Sequence, residues 1–291
     1  MKPFPPAPPY RIVAADQLPP DLEQAAGLDW KAARVLSSAP AEAPRNKAAP
    51  ALPPAASWAL YDLAADRLLG HEPAAGSYPP AGLAKLATAM LVERKLVAER
   101  RDRRAERTPV AVGAEAMVRL SVQRLLEAVL IASSDSAAFA LAAWHSGTTE
   151  AFVEAMNRQA VAWGLRDTRF ACPAGQDESA RSHAVDVLRL AARLMREHPA
   201  LVAIASKTRL DPWEQAVPNV NLLLGTVRGV DGLAAAFSPA TGAHQIATAA
   251  HEGRRLMAVV LGAPDRAVCA RLAAALLRKG FSMPAAAPAP A

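Results

Sequence analysis

The sequence predicts an α+β fold with one sheet assembled from the two ends of the chain. Three observations carry this. Apolar, strand-like runs stand at Trp58–Leu63 and again at Arg254–Gly262, the block between them carries helical periodicity, and tight-turn residues flank the last strands. The length of 291 residues, with 52 % hydrophobic and 21 % charged residues, suits one or two domains with a sizeable core.

Residues 1–54 form a separate zone. They hold twelve of the twenty-five prolines, and proline removes a donor and restrains the residue before it. This reads as linker or disorder, with a short helix conceivable at Leu28–Leu36. The start, Met-Lys-Pro-Phe-Pro-Pro, lacks the uninterrupted apolar core of a secretory signal. Either the protein stays in the cytoplasm or this start is not that of the complete precursor.

Trp58–Leu63 has strand character, Ala64-Ala65-Asp66 is a turn, and Arg67–Gly70 returns. A loop over Glu72–Pro80 leads into a helix from Ala81, with Leu83, Leu86 and Met90 on one stripe. Arg94–Arg107 is dense in arginine. It reads either as a patch for a polyanion or membrane surface, or as a solvated helix end with internal ion pairs, and the interspersed signs favour the second. Ser121 caps a helix carrying Val122, Leu125, Leu126, Val129 and Leu130. It ends in Ser133-Ser134-Asp135-Ser136, a polar interruption readable as a turn at a site or as a plain helix connection. Thr148 caps the next helix, with Phe152, Met156, Ala160 and Trp163 inward and Gly164 as its stop. Phe170–Asp177 is a loop. Ser182 is expected to cap a helix running to His198, and His183 and His198 read as surface or capping residues. Val230-Asp231-Gly232 is expected as a turn before Leu233–Phe237. His244–Ala250 and Arg254–Gly262 are strands joined at His251-Glu252-Gly253. Asp265–Lys279 is an amphipathic helix with Leu272, Leu276 and Leu277 inward. Residues 282–291 read as a disordered Pro/Ala-rich tail.

Composition narrows the function classes. The formal charge of +6 is compatible with a negatively charged partner, but an Arg-rich soluble surface is the favoured reading. No zinc spacing, aromatic-basic RNA motif or basic region with heptads points to nucleic acid. No apolar run is long enough for a transmembrane segment, and no cofactor or metal motif is present. Cys172 and Cys269 form no disulfide framework; they read as two buried thiols, with a single bridge left open.

The chemistry concentrates at Gly82-Leu83-Ala84-Lys85. Lys85 is the only charge in Tyr78–Thr88, and it shares a helical face with Gly82. A nucleophile at position 82 would sit at a helix start, where the dipole favours a developing anion, with a lysine one turn on to take its proton. That is the logic of Ser-x-x-Lys. Glycine occupies the serine position, so the nucleophile is missing.

From Ala56 to Phe281 the chain resembles the low-molecular-mass D-alanyl-D-alanine carboxypeptidases of the penicillin-binding protein and serine β-lactamase superfamily. The resemblance rests on Ser133–Ala142, Ala151–Gly164, Thr168-Arg169-Phe170 with Pro173-x-Gly175, Asn219-x-Asn221-Leu222-Leu223-Leu224-Gly225, Gly229–Leu233 and Arg255–Gly262. It implies a domain over 55–281 with a five-stranded antiparallel sheet, helices on both faces and a mostly helical lobe inserted. It also implies a serine-type peptidase that trims peptidoglycan stem peptides, and a periplasmic or cell-envelope location with an envelope protein as another conceivable partner. Of the three motifs round its cleft, Ser-x-x-Lys reads Gly82-Leu83-Ala84-Lys85. Ser-x-Asn reads Ser133-Ser134-Asp135, and Lys-Thr-Gly aligns with Ala234-Ala235-Ala236. Lys85 and Ser133 therefore remain as remnants, while Gly82, Asp135 and the three alanines mark former site positions. Removing a catalytic serine costs on the order of a million-fold in rate. The reading is a catalytically silent homologue that binds or scaffolds, with Lys85 paired to Asp135. The alternatives are an active carboxypeptidase, or a hydrolase using Ser133 with Lys85.

Overall fold

The computed structural model describes residues 11–12, 57–72, 78–112, 116–210 and 216–284. The expected linker before Ser57, apart from Arg11–Ile12, and the tail beyond Pro284 lie outside the described residues. Arg11–Ile12 (β1) pairs in parallel with Ala116–Met117.

The central sheet joins the two chain ends as expected. Its strands are Ser57–Asp62 (β2), Arg67–Glu72 (β3), Val230–Ser238 (β8), Gly242–His251 (β9) and Arg254–Ala263 (β10). Their order is β3-β2-β10-β9-β8, antiparallel throughout. β10 is central because both its faces are apolar. Met257, Val259 and Leu261 face the main helical core, whereas Leu256, Ala258 and Val260 face the last helix, Arg266–Ser282. Each such side chain contributes about 1.5–3 kcal/mol by leaving water. The turn into β10 uses Glu252 (φ 48°) and Gly253 (φ 77°), the two left-handed positions of a two-residue hairpin. The Asp265 carboxylate accepts the Val268 N–H at 2.7 Å and starts the last helix.

The other face carries the helices. Ala81–Leu83 is a 3-10 turn that runs into α1, Ala84–Ala98. Ala84 to Val92 are buried in unbroken succession, so the first part of this helix is enclosed all round and its stripe of Leu86 and Met90 is only part of the buried surface. Around it stand α2 (Val122–Ala132), α3 (Asp135–Ser146), α4 (Thr149–Ala162), α5 (Ala184–Glu197) and α6 (Pro199–Ala205). Ser121 and Thr148 cap their helices as expected, accepting the Arg124 and Ala151 N–H groups.

Two local expectations are corrected, those for Ser182 and for Val230-Asp231-Gly232. Ser182 caps no helix: its hydroxyl meets Thr168 Oγ1 at 2.8 Å and its backbone pairs with Tyr78, so His183 becomes the N-cap residue without a side-chain bond. His198 is the capping residue of its two expected roles, closing α5 before Pro199 and preceding α6, but it is buried and not at the surface. Val230-Asp231-Gly232 is the start of β8, where a register irregularity absorbs an extra residue and Thr248 Oγ1 donates to Asp231 Oδ1 at 2.7 Å. The basic stretch after α1 leads into a hairpin, Arg107–Val112 (β4) with Ala116–Ser121 (β5). Arg101 pairs with Glu99 and Glu106 and Arg103 with Glu93, the internal ion pairs expected of a solvated segment. Two short strands, Arg209–Leu210 (β6) and Val217–Pro218 (β7), complete the chain order. Cys172 and Cys269 are both free and buried.

Candidate active-site remnant

The three segments aligned with the family's motifs meet at one point. A Cβ built on Gly82 would lie 3.2 Å from Lys85 Nζ, 3.1 Å from Ser133 Oγ and 3.0 Å from the Ala236 Cβ. Each comes from a different element. Gly82 lies in the 3-10 turn and Lys85 in the first turn of α1. Ser133 is the left-handed residue (φ 55°) that ends α2, and Ala236 is on the edge strand β8. Ser134 then caps α3 by accepting the Ala137 N–H at 3.3 Å. The polar interruption is thus the one-step hinge between two helices, placing Ser133 and Asp135 on either side of a cap. Ala234 and Ala235 line the same shallow depression as Gly82, Lys85 and Ser133.

Lys85 is nearly fully buried, and its amine is committed. Nζ lies 2.6 Å from Asp135 Oδ1 and donates to the Ala174 carbonyl at 2.9 Å. The expected Lys85–Asp135 contact is therefore present. A second layer holds it: Gln176 Nε2 donates to Asp135 Oδ2. The loop carrying Ala174 is tied to α1 by Thr88 Oγ1 donating to the Pro173 carbonyl at 2.8 Å. Gly175 allows the close approach. Its φ is +78°, and a Cβ there would stand 1.7 Å from the Ala81 carbonyl oxygen. Cys172 Sγ accepts the Gly175 and Gln176 N–H groups at 3.1 Å each, which closes the loop.

The Ala174 carbonyl and Gln176 are the site members that sequence reading missed. Pro173-x-Gly175 was visible as a segment, but a backbone acceptor carries no side-chain signature. Chemically, position 82 offers no oxygen to acylate, and Ser133 Oγ is the hydroxyl nearest the vacated point. On β8 the three alanines present neither a cation nor a hydroxyl for a carboxylate. Among the described residues, no three His, Cys, Asp or Glu are grouped to hold a metal ion, and no helix is long and apolar enough to cross a membrane.

The sequence of the D-alanyl-D-alanine carboxypeptidase family (peptidase S11) matches residues 44–265. The chain belongs to this family. It is 32 % identical over 243 residues to the D-alanyl-D-alanine carboxypeptidase DacD of Escherichia coli (strain K12), covering 78 % of this chain and 63 % of DacD. Against DacC of the same organism it is 30 % identical, covering 61 % of that protein. The chain thus spans less than two thirds of the length of these relatives. Among solved structures, penicillin binding protein 6B from Escherichia coli superposes with a TM-score of 0.72 at 28 % identity, covering 83 % of this chain and 82 % of that one. Penicillin binding protein 5 from Haemophilus influenzae gives 0.73 at 26 %, covering 81 % and 73 %. The five-stranded antiparallel sheet and its flanking helices are therefore the penicillin-binding protein fold.

Proposed function

We propose that this chain is a non-catalytic member of the carboxypeptidase family, its 55–281 domain retained as a module that binds or scaffolds. One observation carries the reading. The place where an acylating oxygen would stand belongs to Gly82, and Lys85 Nζ, Ser133 Oγ and Ala236 Cβ lie within 3.0–3.2 Å of where its Cβ would be. Lys85 Nζ is held in place by Asp135 and the Ala174 carbonyl, with no oxygen at position 82 for it to serve. The stem peptides that the family resemblance implies as substrate, or an envelope protein, are the ligands this reading favours.

A second reading has one observation behind it. Ser133 Oγ and Lys85 Nζ crowd the same point, so a serine–lysine pair displaced by one element is available for hydrolysis. The two readings separate on a pentapeptide ending in D-Ala-D-Ala. Incubation with the folded protein is expected to release no D-alanine, while titration of the same peptide is followed by calorimetry or NMR. D-alanine release that vanishes in Ser133→Ala would establish the second reading and refute the first.

A further inference from the structure

β3 is an outer strand of the central sheet and pairs only with β2. Among the described residues, no hydrogen bond reaches its backbone from outside β2. Arg67, Leu68, His71 and Glu72 are all exposed, and Leu68 is one of the large apolar side chains left in water. The row of N–H and C=O groups along such an edge is a template for another strand. The opposite outer strand, β8, faces the Gly82 turn instead.

The register of β3 says which strand fits. Arg67 and Leu68 stand opposite Asp62 and Tyr61, whereas Gly70, His71 and Glu72 stand opposite Leu60, Ala59 and Trp58. Leu69 is the extra residue of a bulge. In a regular strand Arg67 and Glu72, five positions apart, would point to opposite faces. The bulge puts both on the face of Trp58, Leu60 and Asp62, towards the last helix. Leu69 packs against that same cluster, and Gly70 lies against the Trp58 ring. Leu68 and His71 are on the other face, with Tyr61 and Ala59. The order of faces is therefore the same read in either direction from the midpoint between Leu69 and Gly70. The charges at the two ends, Arg67 and Glu72, are opposite. A second copy turned about a two-fold axis through that midpoint sets Arg67 opposite Glu72 twice, and Leu68 opposite His71 twice, each pair on one face. Arg67 has no ion-pair partner among the described residues, and Glu72 Oε2 accepts the Trp58 indole N–H at 2.9 Å, which leaves Oε1. We propose that β3 pairs with β3 of a second copy of this chain, joining the two central sheets into one continuous antiparallel sheet. The surface is independent of the remnant site, whether or not that cleft is catalytic.

A six-residue edge makes a small interface, so the dimer is expected to be reversible. Sedimentation velocity from about 1 to 200 µM should show a monomer passing into a dimer. Arg67→Glu and Glu72→Arg each set like charges opposite one another twice, and each should weaken the dimer by about tenfold. The double variant restores opposite charges and should recover it. Amide hydrogen exchange of residues 67–72 in the unaltered protein should slow as the dimer forms. A protein that stays monomeric up to about 200 µM would overturn the proposal, even if the variants fail to fold. A dimer whose β3 amides exchange as fast as the monomer's, or one that both single variants form equally well, would overturn it too.

Discussion

At the scale of single residues, Gly82 is more than an absent hydroxyl. Lys85 Nζ and Ser133 Oγ are ends of side chains that can turn aside from a new Cβ. The Ala236 Cβ, 3.0 Å away, moves only with its strand. Gly82→Ser is therefore expected to lose stability, by about 1–2 kcal/mol in a urea titration, as overpacked sites do. It should not restore D-alanine release, because Asp135 and the alanines remain. The Lys85–Asp135 contact has one end buried and the other about two-fifths exposed. Fully buried pairs cost about 3–5 kcal/mol when one partner is removed, and exposed pairs about 0–1. Asp135→Ala should fall between, at about 1–3 kcal/mol. An unchanged denaturation midpoint would mean that the contact does not stabilise the fold. These residues were legible in sequence because each is a departure from a motif. Their mutual distances were not, since they depend on three elements converging.

Among the elements, the loop at Pro173–Gln176 does most to define the remnant. It reaches α1 through the Ala174 and Pro173 carbonyls, and its closeness rests on Gly175. Gly175→Ala is expected to cost at least about 2 kcal/mol, since the added Cβ meets the Ala81 carbonyl in a backbone conformation that disfavours it. Gly147→Ala also meets a positive φ but finds open space, so its cost is backbone strain alone, about 1–3 kcal/mol, without the clash that Gly175→Ala adds. Equal losses in thermal melts of the two variants would show that the loop does not press on α1. Sequence reading succeeded with elements whose signals are local. Ser121, Thr148 and Gly253 marked two caps and a turn that the structure has. It failed where tertiary contacts decide. The β4–β5 pair follows a charge-rich stretch and contains Pro109, and its register is set by pairing between strands, with β1 on the far side of β5. Ser182 has the chemistry of a cap, but Thr168 and Tyr78 took its groups first.

For the whole molecule, the two-ended sheet was readable because β10 is apolar on both faces and the opening strand is half-buried. The fold also sets an acid limit on stability. Burial pushes the His244 pKa down to about 4, and burial lowers that of His198 as well. The unfolded chain binds protons at these residues below about pH 6.5, while the folded protein does not. Their contribution is thus fully present above pH 6.5 and is lost as pH falls towards 4. For His244 this is on the order of 3 kcal/mol. Asp62, whose carboxylate is held down by Arg254 and the Ala65 and Ala64 N–H groups against the opposing effect of burial, adds a further loss at lower pH. Denaturation midpoints measured from pH 7 to pH 4 should decline, and His244→Gln should flatten the decline. A midpoint independent of pH in this range would contradict the burial of neutral His244.

The central claim is that, with no oxygen at position 82, the point where the family's three motifs converge is not acylated. Penicillins form a covalent acyl adduct with a serine-type site, so the intact mass of the folded protein after incubation with a penicillin tests the claim directly. The expected mass is that of the unmodified chain, with circular dichroism showing the protein folded throughout. A mass increase of one penicillin, mapped to Ser133 or to any other residue bordering Gly82, would contradict it.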